Sequence, residues 1–261
     1  MKIDFHSHVK LKKHVPFSRE YTEHMFKNAI QAGLDAICLT EHYSSSELDS
    51  VYQYLQDCLE KTGDCFLFEG LKIFTGIEVD IAEGGHIVVI GPIDDILTVY
   101  EKLEERAKIK DHPSFELLIE IIKQPSLLIG GGHPFRPIDK CVLKLQDHQM
   151  KQLDYIELSG NDLALYREQT EAKTRDLAKR VGLPLIIGSD THQAFQYGCA
   201  YTCFKQEHIT VASLKQAIVK GEYTLETSEF AERQAMMASK MKKALVRIHD
   251  LGDDYVSIIV K

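Results

Sequence analysis

The chain has 261 residues, 44% apolar and 27% charged, which are ordinary globular proportions with material for a sizeable core and no compositional sign of disorder. Lys and Arg number 31 against 39 for Asp and Glu, and the resulting formal charge of -8 disfavours extended contact with a polyanionic backbone. The length suits either one α/β barrel or two small domains, because barrels run to about 250 residues as a single unit.

Apolar runs and helix-period segments alternate along the chain. KIDF (2–5) reads as a first strand, followed at once by His6, His8 and, after a short interval, His14. Strand residues i and i+2 share a face, so His6 and His8 point one way with Ser7 opposite. DAICLT (35–40) is a second strand and ends at Glu41 and His42. ELDSVYQYLQDCLEKTG (47–63) reads as an amphipathic helix, its Leu48, Val51, Tyr52, Leu55 and Leu59 falling on one side. KIFTGIEV (72–79) is a third strand that closes at Glu78, and HIVVIG (86–91) is a fourth that begins at His86. PSFELLIEIIKQ (113–124) reads as a helix with Pro113 at its first position and Phe115, Leu118, Ile119 and Ile122 on one face. SLLIGG (126–131), DYIELS (154–159) and LPLIIGS (183–189) complete the set of strands; His133 follows the first of these, Asp190 and His192 the last. Residues 229–246 read as a helix and 246–261 as a small hairpin across Gly252.

Strands alternating with helices imply parallel βαβ units, and the absence of a Gly-rich dinucleotide turn favours a barrel over a doubly wound sheet. The expectation is an α/β fold, a TIM-like barrel of about seven strands, forming a single domain over 1–261, with 229–261 as a C-terminal helix and hairpin extension. Six cysteines are scattered without a C-x-x-C pair, no charged leader precedes the first strand, and no run approaches the roughly 20 apolar residues of a membrane span. A cytoplasmic protein with reduced thiols and no membrane partner is expected.

In parallel barrels, reactive groups gather at the C-terminal ends of the strands. His6, His8, Glu41, His42, Glu78, His133, Asp190 and His192 all follow that rule, while His86 starts its strand instead. Each motif alone reads as structural; together they point to a multinuclear metal site with the nitrogen and oxygen donors that suit zinc, manganese or iron. His24, His112, His148, His208 and His249 have no such partners and read as surface residues.

H-S-H at 6–8, T-E-H at 40–42, G-I-E at 76–78, G-H-P at 132–134 and G-S-D-T-H at 188–192 resemble, in order over roughly residues 1–200, the PHP (polymerase and histidinol phosphatase) family. The resemblance implies a distorted seven-stranded barrel with up to three divalent metal ions. It implies a first metal on His6, His8, Glu78 and Asp190, a second on Glu78, His86 and His133, and a third on His14, His42 and His192. Many members carry aspartate where this chain has His14, while the histidinol-phosphatase-like branch often has histidine, and more imidazole favours zinc or iron over magnesium.

Closely spaced divalent cations serve phosphate ester hydrolysis, with a metal-bridging hydroxide as nucleophile. Phosphate also calls for guanidinium groups near the rim, and Arg136 in GHPFRP and Arg167 in NDLALYRE are the choices for substrate binding, with Lys13 a weaker third. Asp190, His192 and Arg136 form the expected catalytic set. The expected function is a metal-dependent phosphoesterase acting on a small phosphorylated substrate such as histidinol phosphate or a nucleotide, with nucleic acid an unlikely partner. The competing classes are a protein tyrosine phosphatase of the same family, an amidohydrolase-type enzyme, whose customary bridging lysine the strand ends do not offer, and a non-catalytic metal-binding regulatory barrel, which would be expected to have lost ligands.

Overall fold

The computed structural model describes residues 1–106, 112–138 and 143–260. Its strands are β1 (Lys2–Ser7), β2 (Ala36–His42), β3 (Glu60–Thr62), β4 (Cys65–Phe68), β5 (Leu71–Asp80), β6 (His86–Ile90), β7 (Leu128–Gly132), β8 (Tyr155–Glu157), β9 (Leu185–Ile186), β10 (Ala200–Phe204) and β11 (Tyr223–Thr227). They join in one sheet ordered β11-β10-β1-β2-β5-β6-β7-β8-β9, with the β3–β4 hairpin attached to β5. Beyond β9 the chain returns to β1, where Thr191 bridges to Ser7, Asp190 N–H donates to His6 O at 2.8 Å and His8 N–H donates to Thr191 O at 2.9 Å. The sheet is therefore nearly closed, and the staves β1, β2, β5, β6, β7, β8 and β9 are the seven runs expected from the sequence.

The expected all-parallel order is not what forms. β6 lies antiparallel to both β5 and β7, because only Ile81–Gly85 separates β5 from β6 and so short a connection makes a hairpin. A reversed stave begins at the rim where the others end. That explains why His86 opens its strand and yet faces the same rim as the other ligands.

Period-two alternation separates the two faces of each stave. Ile37, Leu39, Ile73, Ile77, Val79, Ile87 and Val89 face outward and share a core with helices Arg19–Gln31, Leu48–Cys58, Ile93–Arg106 and Phe115–Ile122. The inward series run Ala36, Cys38, Thr40, His42 on β2; Phe74, Gly76, Glu78 on β5; and Ile90, Val88, His86 on β6. The barrel interior is thus apolar below, where these residues join Ile3, Phe5 and Leu128, and carries imidazole and carboxylate above. On β1 a register shift between Asp4 and Ser7 accompanies the turn of His6 and His8 toward the rim.

Three local expectations need correction. The helix read over 47–63 stops at Cys58: Leu59 is extended, and Glu60–Thr62 pairs with β4 around Gly63, whose φ of 58° suits a glycine. Pro113 lies ahead of the N-cap, Ser114, which accepts from Leu117 N–H, so the next helix starts at Phe115. The hairpin across Gly252 does not form, since helix Ala231–Asp250 absorbs its first half and, after a turn at Gly252, residues Tyr255–Ile259 make a short helix capped by Asp254. Strands β3, β4, β10 and β11 were not anticipated.

Closure depends on a close backbone approach. A Cβ on Gly188 would stand 2.5 Å from both the backbone nitrogen and the Cβ of His6. Gly188→Ala is therefore expected to cost about 1–3 kcal/mol through overpacking against backbone, read as a lower midpoint in chemical denaturation. An unchanged midpoint would show that closure tolerates a wider seam.

Candidate metal centre

The inward residues at the rim meet around one carboxylate. Glu78, fully buried, has its oxygens 3.4 Å from His6 Nε2, 3.5 Å from His8 Nε2, 2.7 Å from His42 Nδ1, 2.5 Å from His86 Nδ1 and 3.3 Å from His133 Nε2. Asp190 Oδ1 lies 3.3 Å from His8 Nε2 and 3.7 Å from His6 Nε2. Among the described residues three sets of ligand atoms lie close enough to hold an ion: His6, His8 and Asp190; Glu78, His86 and His133; and His8, His42 and His192. Both His133 and Asp190 have positive φ, 26° and 55°, backbone conformations that side-chain-bearing residues seldom adopt outside functional sites.

Outer carboxylates fix the rings. Glu157 Oε1 lies 2.8 Å from His6 Nδ1, Glu41 Oε1 3.3 Å from His8 Nδ1, and Asp80 Oδ1 2.9 Å from His86 Nε2. Each holds one ring nitrogen and leaves the other facing the centre, the arrangement by which second carboxylates orient metal-binding imidazoles. Glu157 Oε2 also accepts from His133 N–H at 3.0 Å, and Glu41 Oε2 from Val9 and Lys10 N–H at 3.1 Å each, so ring and backbone are located by the same groups.

The electrostatics divide the imidazoles. Burial lowers the pKa of His42 and His133 and takes that of His192 well below its ordinary value; Lys242 and His8 add to the effect at His192, Arg136 and His86 at His133. These three are neutral and ready to coordinate. At His8 burial pulls down, but Glu41, Asp190 and Glu78 outweigh it and raise the pKa to about 9, while Glu157, Glu78 and Asp190 raise His6 in the same way. Burial would raise Glu78 and Asp190, yet the imidazoles around Glu78, and Arg136 with His6 beside Asp190, hold both well below the usual carboxylate range.

The chemistry of the donor set fits divalent cations. His6 Nε2 and His8 Nε2 are buried without a hydrogen-bond partner, His42 Nδ1 and Glu78 Oε2 lie 2.7 Å apart without the alignment of a hydrogen bond, and all four converge on one space. Uncompensated polar atoms are costly in a protein interior, and a bound cation would satisfy all four.

Eight of the nine expected ligands come together, and His14 does not. It is exposed on the loop after β1, and His8 takes the place expected for it beside His42 and His192. Arg136 reaches the rim but is committed elsewhere: Nε donates to Asp162 Oδ1 at 2.6 Å, Nη2 to Ser159 Oγ at 3.0 Å, and Nη1 lies 2.5 Å from Asp190 Oδ2. It steadies a ligand, with no free fork to offer a phosphate. Arg167 is exposed and paired with Glu171 at 2.9 Å, an ordinary helix-surface ion pair. Lys13 is held by Asp80 at 2.8 Å. His24, His112, His148, His208 and His249 join none of the three sets.

Sequence reasoning missed Glu157, Asp80, Asp162 and Lys242. Glu157 ends β8 at the rim as the ligands end theirs, which was a usable signal. Lys242 had one too. Ala231, Ala235, Ala238, Lys242 and Leu245 follow a heptad-like stripe, and the others are buried, so a lysine in that line points inward. It lines a cavity of about 250 Å³ together with Arg136, Asp190 and His192.

A PHP domain model matches residues 4–229. The chain is 26% identical over 195 residues to a probable phosphatase of Thermoanaerobacter sp. (strain X514), covering 66% of this chain and 72% of that protein. It is 27% identical over 195 residues to a probable phosphatase of Caldanaerobacter subterraneus subsp. tengcongensis, covering 66% and 70%. Among solved structures, PsfC from Pseudomonas syringae PB-5123 has a TM-score of 0.75 at 19% identity, covering 94% of this chain and 98% of that one. The lesion-specific endonuclease PfuEndoQ from Pyrococcus furiosus has a TM-score of 0.62 at 18% identity, covering 86% of this chain and 57% of that one, so this chain spans little more than half its length. These structural likenesses are likenesses of fold. The family model, by contrast, runs from β1 through β11 and takes in every residue of the three ligand sets, and the chain belongs to the PHP domain family.

Proposed function

We propose that this PHP-family phosphoesterase hydrolyses a small phosphomonoester, of the class of histidinol phosphate or a nucleotide, using up to three zinc, manganese or iron ions. The observation that carries the reading is the convergence of five imidazoles and Asp190 around Glu78, with four of the buried donor atoms left without hydrogen bonds. His6, His8 and Asp190 would hold one ion, His86 and His133 a second, and His42 and His192 with His8 a third, Glu78 spanning the first two. Divalent cations supply Lewis acidity, activating water and neutralising charge that develops on phosphoryl oxygens.

The chain's own groups do the rest. Glu157, Glu41 and Asp80 fix the ring tautomers, and Arg136 occupies Asp190 Oδ2 so that Oδ1 alone faces His6 and His8. The adjoining cavity of about 250 Å³ is smaller than the roughly 300–1,000 Å³ typical of drug-sized ligands, which supports a compact substrate. The net charge of -8 supports a small-molecule substrate over nucleic acid. Among the described residues no helix is long and apolar enough to cross a membrane, and a cytoplasmic setting goes with this reading. Residues 1–261 are taken to act as one unit, because helix Ala231–Asp250 lines the cavity beside the centre.

Release of phosphate from a panel of sugar, amino-alcohol, nucleotide and phosphotyrosine monoesters is the direct test. Activity should vanish on chelation, return to different extents with zinc, manganese or iron, and place one solvent oxygen in the phosphate when run in labelled water. Metal-loaded protein that releases none would overturn the reading.

Elemental analysis separates the ligand roles. Glu78→Ala should lose more than one equivalent of metal, His42→Ala should lower the content, and His14→Ala should leave it unchanged. Glu157→Gln should weaken metal affinity by about 10- to 100-fold, the usual effect of removing an orienting carboxylate.

The metal-free protein should show an inverted pH dependence. The pKa of His8 is raised from 6.5 to about 9 on folding, so its contribution to stability is fully present below pH 6.5 and is lost as pH rises through 9. Thermal midpoints of stripped protein should fall over that window, and added metal should restore more stability at its upper end, where no proton need be displaced. A midpoint that rises from pH 6.5 to 9 without metal would show that the carboxylates do not hold His8 as imidazolium.

A further inference from the structure

Helix Ala231–Asp250 lies outside the residues matched by the family model, yet it supplies one wall of the cavity beside the metal centre. Its Ala235, Ala238, Ser239 and Lys242 face Asp190 and His192 across that space. The helix is anchored by apolar burial of Ala231, Ala235, Ala238 and Leu245, and Gln234 Nε2 donates to Tyr197 O at 3.1 Å. Lys242 falls in line with those buried residues, where an apolar side chain would serve packing better.

An ammonium in such a place needs a counter-charge. Arg136 and Lys13, the other cations beside the centre, are each paired with carboxylates at 2.5–2.8 Å. Lys242 makes no hydrogen bond and no ion pair with any of the described residues, although burial disfavours its charged form. Its side chain is only partly buried, and the carboxylates of Asp190, Glu41 and Glu78 act on it without pairing with it, so the ammonium stands open to a ligand's counter-charge. Asp190 is not its partner, since Arg136 takes one of its oxygens and the imidazoles face the other.

Resting on the phosphoesterase reading above, we propose that Lys242 is the substrate-binding cation of this site. Its ammonium meets the non-bridging oxygens of a compact phosphate dianion whose other side faces the metal ligands. The cavity walls mix polar Asn161, Tyr166, Gln193 and Ser239 with apolar Ile138, Leu165, Ala235 and Ala238, so the body attached to the phosphate is small and has both a polar and an apolar side. This assigns to Lys242 the role that the sequence placed on Arg136 and Arg167. It also makes substrate recognition a property of the segment beyond the barrel.

The test uses the full-length, metal-loaded protein and inorganic phosphate as probe, by calorimetry. Lys242→Met keeps length and apolar stem but removes the charge; it should weaken phosphate binding by about 10- to 100-fold, the usual effect of losing a charge-assisted hydrogen bond. Lys242→Arg should stay within a few-fold of wild type. Metal content should be the same in all three, and the Lys242→Met midpoint should equal or exceed that of wild type, because a partly desolvated charge has been removed from an apolar stripe. Unchanged phosphate affinity in Lys242→Met would overturn the proposal, as would a drop in its metal content, which would place Lys242 in the support of the centre. A lower midpoint with phosphate binding intact would make Lys242 structural and overturn it too. Wild-type protein that binds phosphate through Lys242 yet hydrolyses no monoester would refute the phosphoesterase reading and leave this assignment standing. Hydrolysis unaffected by Lys242→Met would refute this assignment alone.

Discussion

The carboxylate of Glu78 is the point around which the barrel rim is organised. It is fully buried and faces the imidazoles of His6, His8, His42, His86 and His133, which come from β1, β2, β6 and the end of β7. A charge in that position is tolerable only if positive charge surrounds it, and the imidazoles are themselves tolerable only with an anion or a metal at their centre. Stave geometry follows from this requirement. The register that sets His42 opposite Glu78 on β2 and β5, and the reversal that brings His86 back to the rim on β6, both deliver nitrogen to the same oxygens.

The outer groups carry the constraint outward. Glu157, Glu41 and Asp80 each spend one oxygen on an imidazole, and their second oxygens go to the His133 backbone, to Val9 and Lys10 backbone, and to Lys13. Arg136 does the same for Asp190 while tied to Asp162 and Ser159 on the helix that follows β8. His6, His8, His86 and Asp190 are thus each fixed twice, by their own backbone and by a neighbour's side chain. Sites held in this way are organised before any ligand arrives.

Much of this was legible in the sequence. Buried staves are short apolar runs with a polar terminus, and all seven could be located, with boundaries nearly right for DAICLT and KIFTGIEV and too generous for LPLIIGS, of which only Leu185–Ile186 pairs. An apolar run looks the same in either sense, but the six residues between KIFTGIEV and HIVVIG are too few for a parallel crossover, so the reversal of β6 and with it the place of His86 were legible in the connection length alone. The candidate ligands were readable because histidine and glutamate at strand ends are chemically conspicuous. Partner choice was not: whether Arg136 meets a substrate or an aspartate depends on Asp162, 26 residues away and close only in the folded chain. His14 follows His6 and His8 in sequence and is carried to the surface by a loop whose path no periodicity encodes.

The hairpin between β5 and β6 has a kinetic meaning as well. Glu78 and His86 are separated by eight residues and a turn containing Gly84 and Gly85, both at positive φ, so the central carboxylate has one of its five imidazoles as a local contact. His6 and Asp190, by contrast, meet across nearly the whole barrel sequence at the Gly188 seam. Because loop-closure entropy must be overcome before distant contacts contribute, the hairpin is the inexpensive part of the site to build and the seam the last. The ligand sphere is therefore assembled from an early pair and later partners, and a chain still emerging from synthesis would carry Glu78 and His86 together long before the strand that supplies Asp190 has been made.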